Sequence, residues 1–582
     1  MKLQFTNTNF KDLANSCSSF YIQNRNRNDQ KEIQEKRAKL SGYIESFHRD
    51  CGTLTPSVVE RIKSINKKDC IILMSAHQPN LFCYSGVLRK ATLCFALAKL
   101  LEEKIQVPVI SFFGIADQDF TDDRWVRAFQ LPSVARSEGI LELQISLPER
   151  LLLNRTPKPS AEILKGLRKE AEKWLDGTIR SIDKLYKKSF PDLSPLSCAS
   201  STRENLKLFW DIVEDSYDRS LSYSDFNAFI MSKIVNDVWG YDTLFSRFSD
   251  CQQAFIDEFS FLLSNFNCYS NSLKEAIDIS QNGNEMESIS HLEAELVPFW
   301  YHCDCGSKAR LNIINSDNRL MGVGNCLGCG QHYELDLGNR DHPSLTDIAS
   351  RISARGISMI LVFSKGLMPS CYVGGIGGRS YLAKSQHIAM SLEIPFPPLA
   401  FWRPHDRYLG LGQMEALLEY NRICRYLDAS DYSTVKDLLK RRISEANSRV
   451  AMIQMSKKKA IGAWKDNPRD EVLKEDVNKI LRAETQIRKT SNLSYLSSDL
   501  VALDKIPRTL DLIPSIIDYA VCVGLKETND QWIAFLGDNG NLFSDVTLES
   551  ILSRDEGLRL AISKGLFISL AGSKIGDPVQ VK

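Results

Sequence analysis

The turn that follows the apolar run CIILMSA contains the residues best suited to binding chemistry. It begins at His77, reads HQPNLF, and stands directly before a long helical pattern. A histidine and polar side chains at a strand end can donate hydrogen bonds to phosphate, and the N-terminus of the next helix adds further donors. The alternative for a single histidine is a structural role. We predict a nucleotide-binding turn formed by His77, Gln78, Asn80, Ser85, Gly86 and Lys90.

Carboxylates follow the next apolar run, VPVISFFGI. Asp117 and Asp119 stand immediately after it, in the segment ADQDF. Carboxylates at a strand end can hold Mg2+, a ribose or a substrate ammonium, and the residues alone leave all three open. Asp122 and Asp123 have a simpler alternative, because acidic residues favour the first turn of a helix. The candidate catalytic residues are His77, Asn80, Asp117 and Asp119.

A glycine-rich turn, GGIGG, lies between a predicted strand and a predicted helix. Gly374, Gly375 and Gly377 in this turn let backbone amides approach a ligand without obstruction by side chains. Arg403, in WRPHD after a further apolar run, can face the same strand-end cleft, although a surface turn explains that segment equally well. The turn lacks both GxGxxG and the GKS/T phosphate loop, which argues against a nicotinamide dehydrogenase and against a P-loop NTPase.

Two close cysteine pairs form the clearest metal-binding pattern. Cys303 and Cys305 precede Cys326 and Cys329, and a glycine follows each pair. Four thiolates suit tetrahedral Zn2+, and the glycines permit the tight turns that orient the sulfurs. A closed site of this kind leaves no position for water, so we predict a structural zinc. The alternatives are cysteines that share a core by coincidence, or substitution of a ligand by His302 or His332.

The order of elements places these turns at one edge of a sheet. Strand, polar turn, helix, strand and acidic turn follow one another between residues 70 and 120, and the apolar runs SMILVF, SCYVGG and PPLAFW resume the alternation as strands. Such alternation is typical of α/β proteins, which bind ligands at the carboxyl ends of parallel strands. We predict an α/β fold: a Rossmann-like parallel-sheet core with connective inserts, one of them a zinc ribbon, followed by a C-terminal antiparallel helical coiled coil.

The chain of 582 residues is long enough for several domains. The predicted segments are a helical N-terminal segment at 1–69, the first half of the core at 70–145, an insert at 146–345 with the zinc ribbon at 300–335, the second half of the core at 346–410, a helical arm at 411–500 and a small C-terminal unit at 501–582.

The helical arm has a regular apolar seam. Apolar residues recur at alternating spacings of four and three, interrupted only at Lys457, and the pattern resumes after the helix breaker KDNPRD. This spacing is typical of a coiled coil folded as an antiparallel hairpin, through which we predict a homodimer. The seam consists of Leu439, Ile443, Ala446, Val450, Ile453, Ala460 and Trp464 before the breaker and Leu473, Val477, Ile480 and Ile487 after it.

Composition narrows the functional class. Lys and Arg total 73 against 72 Asp and Glu, so net charge gives no general attraction to nucleic acid or to acidic membranes. No apolar run approaches the about 20 residues that span a bilayer, and the start of the chain has no apolar signal core. The 15 cysteines lie mostly in apolar segments, as buried thiols do. These features favour a cytoplasmic protein without a membrane partner.

Several of these segments resemble the BshC family, the cysteine-adding ligases of bacillithiol synthesis, which are built like class I aminoacyl-tRNA synthetase cores. HQPNLF with SGVLRK resembles the family's first nucleotide-binding turn, and VPVISFFGIADQDFTD resembles its VPVFWIAGEDHDFDE-type segment. CYVGGIGGRSYLAKSQHIAMSLEIPFPPLAFWRP resembles the later YVGGPGEIAYLAQLK…GIPMPVLVPR stretch. The chain departs from the family pattern at Gln118, where histidine is common, at Gly378 and Arg379, and in two extra residues before Gly86.

The resemblance implies an ATP-dependent carbon–nitrogen ligase that joins an amino acid such as cysteine to the amine of a small acceptor, for example an amino sugar conjugate. ATP is then a co-substrate, Zn2+ is structural, and Mg2+ is a further candidate. One alternative is a non-catalytic nucleotide- or RNA-binding zinc protein with a degenerate synthetase-like core, to which the changed Gln118 points. A tRNA-dependent transferase is a third reading, weakened by the neutral charge.

Overall fold

The computed structural model describes residues 10–28, 31–189, 199–281, 290–316, 318–402, 410–429, 431–490 and 492–537. The helices, in chain order, are α1 (Phe10–Asn28), α2 (Lys31–Cys51), α3 (Pro56–Ile65), α4 (Ser85–Ile105), α5 (Arg124–Arg127), α6 (Ala161–Ser189), α7 (Ala199–Arg219), α8 (Tyr223–Ser232), α9 (Phe248–Cys251), α10 (Ile256–Ser264), α11 (Phe266–Gln281), α12 (Gly356–Gly366), α13 (Arg379–Ser391), α14 (Leu411–Leu427), α15 (Tyr432–Asp466), α16 (Glu471–Thr490), α17 (Leu493–Leu510), α18 (Ile516–Cys522) and α19 (Leu525–Gly537).

The strands, in chain order, are β1 (Ile71–His77), β2 (Val109–Ile115), β3 (Ala128–Pro132), β4 (Ile140–Gln144), β5 (Leu244–Arg247), β6 (Phe299–His302), β7 (Lys308–Ser316), β8 (Arg319–Cys326), β9 (His332–Asn339), β10 (Ile352–Ala354), β11 (Cys371–Gly374) and β12 (Leu399–Phe401). A π-helical turn at Lys233–Val238 extends α8, and 3-10 turns occur at Ser137–Gly139, Leu153–Arg155, Gln252–Phe255, His291–Glu295, Thr346–Arg351 and Ile376–Gly378.

A five-stranded parallel sheet forms the centre of the molecule, with the order β12-β11-β1-β2-β5. Every residue of β2 is buried, and β1 is buried except at its last residue. Strands covered on both faces are almost wholly apolar, which explains the runs CIILMSA and VPVISFFGI. The predicted α/β class with a parallel sheet is therefore confirmed.

Two crossover helices place the carboxyl ends of neighbouring strands at one edge. Helix α4 connects β1 to β2, and α13 connects β11 to β12. Because β2 and β11 pair with β1 on opposite sides, the chain reverses its direction of sheet growth at β1. The carboxyl end of β1 is consequently the switch point of the sheet, where open α/β sheets place their ligands.

Two segments of the core differ from the sequence-based expectation. The run SMILVF was predicted as a strand, but it lies inside helix α12, which is buried on most sides and contacts α2, α10 and α13. A short continuous apolar run has no periodicity that separates a buried helix from a buried strand. Strand β5 pairs with β2 and so belongs to the central sheet, although it lies in the range 146–345 that was predicted as an insert.

A second five-stranded sheet is antiparallel, with the order β10-β6-β7-β8-β9, and we call it the ribbon. It contains the predicted zinc-binding cysteines. Loop residues that follow β4 contact the ribbon directly, since Leu152 N–H donates to Gly306 O over 2.9 Å. Arg150 Nη1 also donates to Leu327 O over 2.8 Å. These contacts hold the ribbon against the carboxyl edge of the parallel sheet.

Helices α15 and α16 form a hairpin around the predicted seam. All seam positions are buried or half-buried, as the alternating spacing predicts. Lys457, which interrupts the seam, reaches across the hairpin, and its Nζ lies 2.8 Å from the Glu484 carboxylate. The apolar seam residues of the two helices therefore pack against each other within one chain.

The described part of the C-terminal segment packs on the body of the molecule. Helix α18 contacts α7, and α19 contacts α4. Trp532 of α19 packs edge-on against Trp239, and the buried Arg89 of α4 lies over the Trp532 ring at 4.7 Å. The remainder of the predicted unit, residues 538–582, lies outside the described residues.

Candidate functional site

A cleft of about 330 Å3 opens at the carboxyl edge of the parallel sheet, between the ends of β1, β2 and β11 and the ribbon. The parallel strands bring together residues that lie far apart in sequence, because every strand ends at this edge. Of the residues predicted from the sequence, those that line the cleft are His77, Gln78, Lys90, Asp119, Gly375 and Gly377.

The N-terminus of α4 does not line this cleft, contrary to the expectation for Asn80, Ser85 and Gly86. Ser85 is completely buried, and its backbone N–H donates to Pro514 O over 2.9 Å. The preceding turn is held in the same way, since Ile516 N–H donates to Cys83 O over 2.8 Å. The segment before α18 therefore occupies the backbone N–H of Ser85, a donor at the helix N-terminus that the sequence assigns to a nucleotide.

Two further predicted residues are placed differently. Gly374 packs inside the sheet, where an added Cβ would lie 3.0 Å from side-chain atoms of Leu382 and Phe401. Arg403 lies outside the described residues. The glycine turn thus contributes to the cleft through Gly375, Gly377 and Gly378.

His77 ends β1 with its imidazole at the cleft. Nδ1 lies 3.0 Å from Gln78 O and Nε2 lies 3.3 Å from the Tyr84 hydroxyl. A carbonyl can only accept, so Nδ1 carries the proton and Nε2 accepts from Tyr84. Burial lowers the pKa of His77 to about 3, and the charge of Lys90 adds to this effect. The imidazole is therefore neutral at physiological pH, and both of its nitrogens have partners within the protein.

Lys90 supplies a cation beside the glycine turn. It is buried on α4, and its Nζ donates to the carbonyl of Ala76 over 2.9 Å. A Cβ on Gly375 would lie 3.7 Å from this Nζ, so the ammonium stands against the backbone of the turn. Burial lowers the pKa of Lys90 to about 8, which leaves the group mostly charged at neutral pH. A buried cation next to an open backbone turn is suited to an anionic ligand.

The glycines of the turn leave space beside the backbone, and their backbone angles are ones that other residues can also adopt. The φ angles of Gly375, Gly377 and Gly378 lie outside the left-handed region. A Cβ at Gly377 would meet no atom within 4 Å, whereas a Cβ at Gly378 would lie 2.6 Å from the Tyr381 hydroxyl. Tyr381 therefore lies directly over the turn and forms part of the cleft wall.

Asp119 faces the cleft, and Asp117 does not. Gln78 Nε2 donates to Asp119 Oδ2 over 3.0 Å, and Lys308 Nζ lies 3.7 Å from Oδ1. Asp117 is fully buried and accepts hydrogen bonds from the backbone N–H, over 2.9 Å, and the hydroxyl of Ser249. It lines a neighbouring cavity of about 460 Å3. Burial raises the pKa of Asp117 to about 7.

The other acidic residues of this segment have structural partners. Asp123 caps α5, since its Oδ1 accepts from Trp125 N–H over 2.8 Å, as the helix-start interpretation predicts. Asp122 accepts from the backbone N–H of Arg150 over 2.8 Å. Cys83, the thiol nearest to the first turn, is buried, and burial raises its pKa to about 12. A protonated thiol of this kind is a poor nucleophile.

Lys308, Gln252 and Tyr381 line the cleft but were not predicted from the sequence. Lys308 stands three residues after Cys305, in a segment that the sequence predicts only as part of a zinc site. It reaches the cleft because the ribbon packs against the edge of the sheet. Gln252 lies in a turn after β5, a strand too short to be predicted. Strand β7 reads KARLNIINS, so polar residues recur along it and Lys308 carries no distinct signal in the sequence.

The four cysteines of the ribbon meet in space. Their sulfurs all lie within 4.8 Å of one another. Cys303 Sγ lies 3.6 Å from Cys329 Sγ, and Cys305 Sγ lies 3.6 Å from Cys326 Sγ. Zinc–thiolate bonds of about 2.3 Å in tetrahedral geometry require sulfurs about 3.8 Å apart, so the cluster fits this ion. The predicted ability to bind a metal is confirmed at the level of ligand geometry.

Glycines and an aromatic hydroxyl complete the surroundings of the cysteines. Gly306 and Gly330 have φ angles of 87° and 76°, the left-handed conformation that the tight turns require. The Tyr333 hydroxyl donates to Cys303 Sγ over 3.0 Å. His302 contacts Ser353 and His332 contacts Asn325, and neither histidine belongs to the cluster. The second sphere thus favours four thiolate ligands.

Comparison with known protein families gives no match, and no curated protein matches the sequence significantly. Within the described part of the chain, none of the helices combines the length and the apolar character that a membrane span requires.

Proposed function

We propose that this protein is an ATP-dependent ligase of the BshC type, which joins the carboxyl group of an amino acid, cysteine being the first candidate, to the amine of a small acceptor such as an amino sugar conjugate. The observation that carries the proposal is the cleft at the switch point of the sheet. It combines a buried lysine, an open glycine turn, a carboxylate and several amides.

The nucleotide half of the proposed site lies between β1 and β11. The Lys90 ammonium and the backbone of Gly375 to Gly378 are the groups suited to phosphate oxygens. Tyr84 and Tyr381 offer aromatic faces and hydroxyls nearby. His77 is neutral, so its role is to position Tyr84 through Nε2 and not to neutralise phosphate charge.

The reacting half of the site contains Asp119. Its carboxylate can orient the attacking amine, or hold Mg2+ together with nucleotide phosphates, because Mg2+ is commonly bound by one or two carboxylates and substrate oxygens. Catalysis would consist mainly of positioning and charge stabilisation. ATP first activates the amino acid carboxylate, either as an adenylate with release of pyrophosphate or as an acyl phosphate with release of ADP. The acceptor nitrogen then forms the amide bond with the carboxyl carbon and loses a proton, while the C–O bond to the activating group breaks and the oxygen departs on AMP or phosphate.

The ribbon binds zinc as a structural ion in this proposal. Four thiolates complete a tetrahedral shell, so the ion has no open position for substrate or water. Cys303 and Cys326 are buried, while Cys305 and Cys329 are exposed, so the site lies at the edge of the ribbon. The ion would stabilise the β6–β7 and β8–β9 turns, which carry the four cysteines.

The ligase proposal is tested with purified full-length protein, ATP, Mg2+, pooled amino acids and glucosaminyl-malate, followed by mass spectrometry. A product mass equal to an amino acid plus the acceptor minus water is the expected result, and the accompanying AMP or ADP identifies the activation step. Nucleotide binding without turnover of this or any related amino sugar acceptor would remove the ligase assignment.

A second candidate is a non-catalytic nucleotide- or RNA-binding zinc protein, in which the hairpin provides assembly. Two observations favour it: Gln118 replaces a residue that is commonly histidine in the resembling family, and His77 is engaged by its neighbours. An electrophoretic shift of RNA that weakens steeply with salt would support it. The homodimer remains a prediction for both candidates.

A further inference from the structure

The half of the cleft that lies against the ribbon has its own set of polar groups. Lys308 of β7 is 3 % exposed, and Gln118 and Gln252 are 6 % and 4 % exposed. Phe248 and Met359 form an apolar wall beside them. We infer that this half is a subsite for a free α-amino acid, whose carboxylate binds Lys308 and whose ammonium binds the side-chain carbonyls of the two glutamines. The inference rests on the proposed function and assigns the residues that would bind its amino acid substrate.

Lys308 is held in position before any ligand arrives. Its ammonium lies over the rings of Phe120 and Trp300, at 4.8 and 5.5 Å from their centroids. The Asp119 carboxylate is 3.7 Å away, which is longer than a hydrogen bond. A buried cation with an ion pair at this distance can still donate to a second anion. Charge-assisted hydrogen bonds to carboxylate are among the strongest that a protein makes.

The two glutamines present buried acceptors to the same space. Gln118 Oε1 and Gln252 Oε1 accept no hydrogen bond from any residue that the structure describes. A buried polar atom without a partner is costly, and in native proteins it usually finds a ligand or water. Both residues line the cleft, so a donor in this space would satisfy them. An ammonium group has three donors and fits this need.

These groups together distinguish a zwitterion from a phosphate. Two carbonyl acceptors and the nearby Asp119 would repel phosphate oxygens, whereas one cation and two acceptors match one carboxylate and one ammonium. The wall favours a small apolar or sulfur-containing side chain. Phe248 stands there because a Cβ on Gly114 would lie 2.2 Å from its ring, so only glycine on β2 leaves room for it.

The metal cluster and this subsite share one hairpin. Lys308 begins β7 directly after the turn that carries Cys303 and Cys305, and β7 pairs with β8, which ends at Cys326. Leu327 N–H donates to Lys308 O over 2.8 Å. The folded turn thereby fixes the backbone of Lys308, and metal loading becomes a condition for amino acid binding.

The test is calorimetric titration of the full-length protein with single proteinogenic L-amino acids, with and without a non-hydrolysable ATP analogue and Mg2+. For the best ligand, its carboxamide and its desamino acid are titrated as well. Wild type should prefer the amino acid to its carboxamide by about 10- to 150-fold, the equivalent of one charged hydrogen bond. Lys308→Met should lose this preference and retain its zinc and its nucleotide affinity.

Matched variants separate binding from folding. Arg310→Met removes a cation from the same strand at a position paired with Glu293, so it should leave the preference intact. Gln118→Leu and Gln252→Leu should lose the preference for the amino acid over its desamino analogue. They test the subsite independently if Lys308→Met does not fold. Lys308→Arg should restore part of the carboxylate preference.

Two results would overturn the subsite: wild type that binds no amino acid in any condition, or Lys308→Met that keeps the wild-type preference for carboxylate. The ligase proposal fails separately. Amino acid binding that depends on Lys308, without any nucleotide binding, would retain the subsite and remove the ATP-dependent ligase. Product formation by the wild type, with a carboxylate preference that is unchanged in Lys308→Met, would do the reverse.

Discussion

Lys308 of the ribbon and Asp119 of the central sheet meet across the cleft, with 3.7 Å between the ammonium and the carboxylate. Lys308 is nearly inaccessible, while the Asp119 side chain is 44 % exposed. The ribbon therefore forms one wall of the cleft at the carboxyl ends of the strands. The part of the cleft around Lys308 and Asp119 is therefore formed by both units.

Zinc should be present at one ion per chain. Cys326→Ser removes one ligand, and we expect loss of zinc together with new proteolytic cleavage between residues 299 and 339, since metal binding in such sites is folding energy. Elemental analysis and limited proteolysis measure both effects. Cys268→Ser, at a half-buried cysteine of α11, is the control and should change neither. Zinc-free wild type that resists protease equally well would contradict the assignment.

Nucleotide binding should depend on Lys90. Lys90→Met keeps the apolar stem and removes the ammonium, and we expect a loss of about 10- to 150-fold in ATP affinity, the worth of a hydrogen bond to a charged group. Lys99→Met on the same helix is the control, because Lys99 is half-exposed and pairs with Asp242. Titration calorimetry gives both affinities. Equal losses in the two variants would show a general effect of charge and not a phosphate site.

The sequence predicted the strands and turns of the site better than the contacts between them. CIILMSA, VPVISFFGI and GGIGG carry local signals, so His77, Asp119 and Gly375 were placed correctly at one sheet edge. The hydrogen bond from Ser85 N–H to Pro514 O cannot be predicted from the local sequence, because it joins residues more than four hundred positions apart. The entry of Lys308 into the cleft likewise depends on how the ribbon docks.

Dimerisation requires a surface other than the seam. The seam residues of α15 and α16 already face each other within the hairpin, whereas Met455 and Val472 are 65 % and 69 % exposed. If the hairpin mediates the dimer, Met455→Glu with Val472→Glu should yield a monomer in light scattering and keep the zinc content. Leu208→Glu, at an exposed apolar residue of α7, is the control. Wild type that is monomeric at micromolar concentration would refute the dimer.

The ring of His77 should not titrate near neutrality. Its folded pKa is about 3 because the ring is buried and Lys90 is close. We expect the ring resonances of His77 in NMR spectra to stay constant between about pH 5 and 8, while an exposed histidine shifts around its reference pKa of about 6.5. His77→Gln identifies the resonance by its loss. A midpoint near 6.5 for His77 would show that the ring is solvated and available to a phosphate.

Asp117 should make the protein less stable as the pH rises. Its folded pKa is about 7, above the unfolded reference of about 3.9, so between these values the folded state binds the proton more tightly. Stability is then greatest below about pH 4, falls as the pH rises to about 7, and levels off above, by about 1.4 kcal/mol for each unit of pKa difference.

Asp117→Asn keeps the shape of the side chain and removes the titration. The free energy of unfolding of wild type minus that of the variant should therefore decrease as the pH rises from 4 to 7. Glu415, whose pKa burial also raises to about 7, is present in both proteins and cancels in this difference. Asp218→Asn, at an exposed residue of α7, should show no such trend. Urea titrations across this range measure the difference. A flat difference for Asp117→Asn would mean that Ser249 stabilises the carboxylate enough to offset its burial.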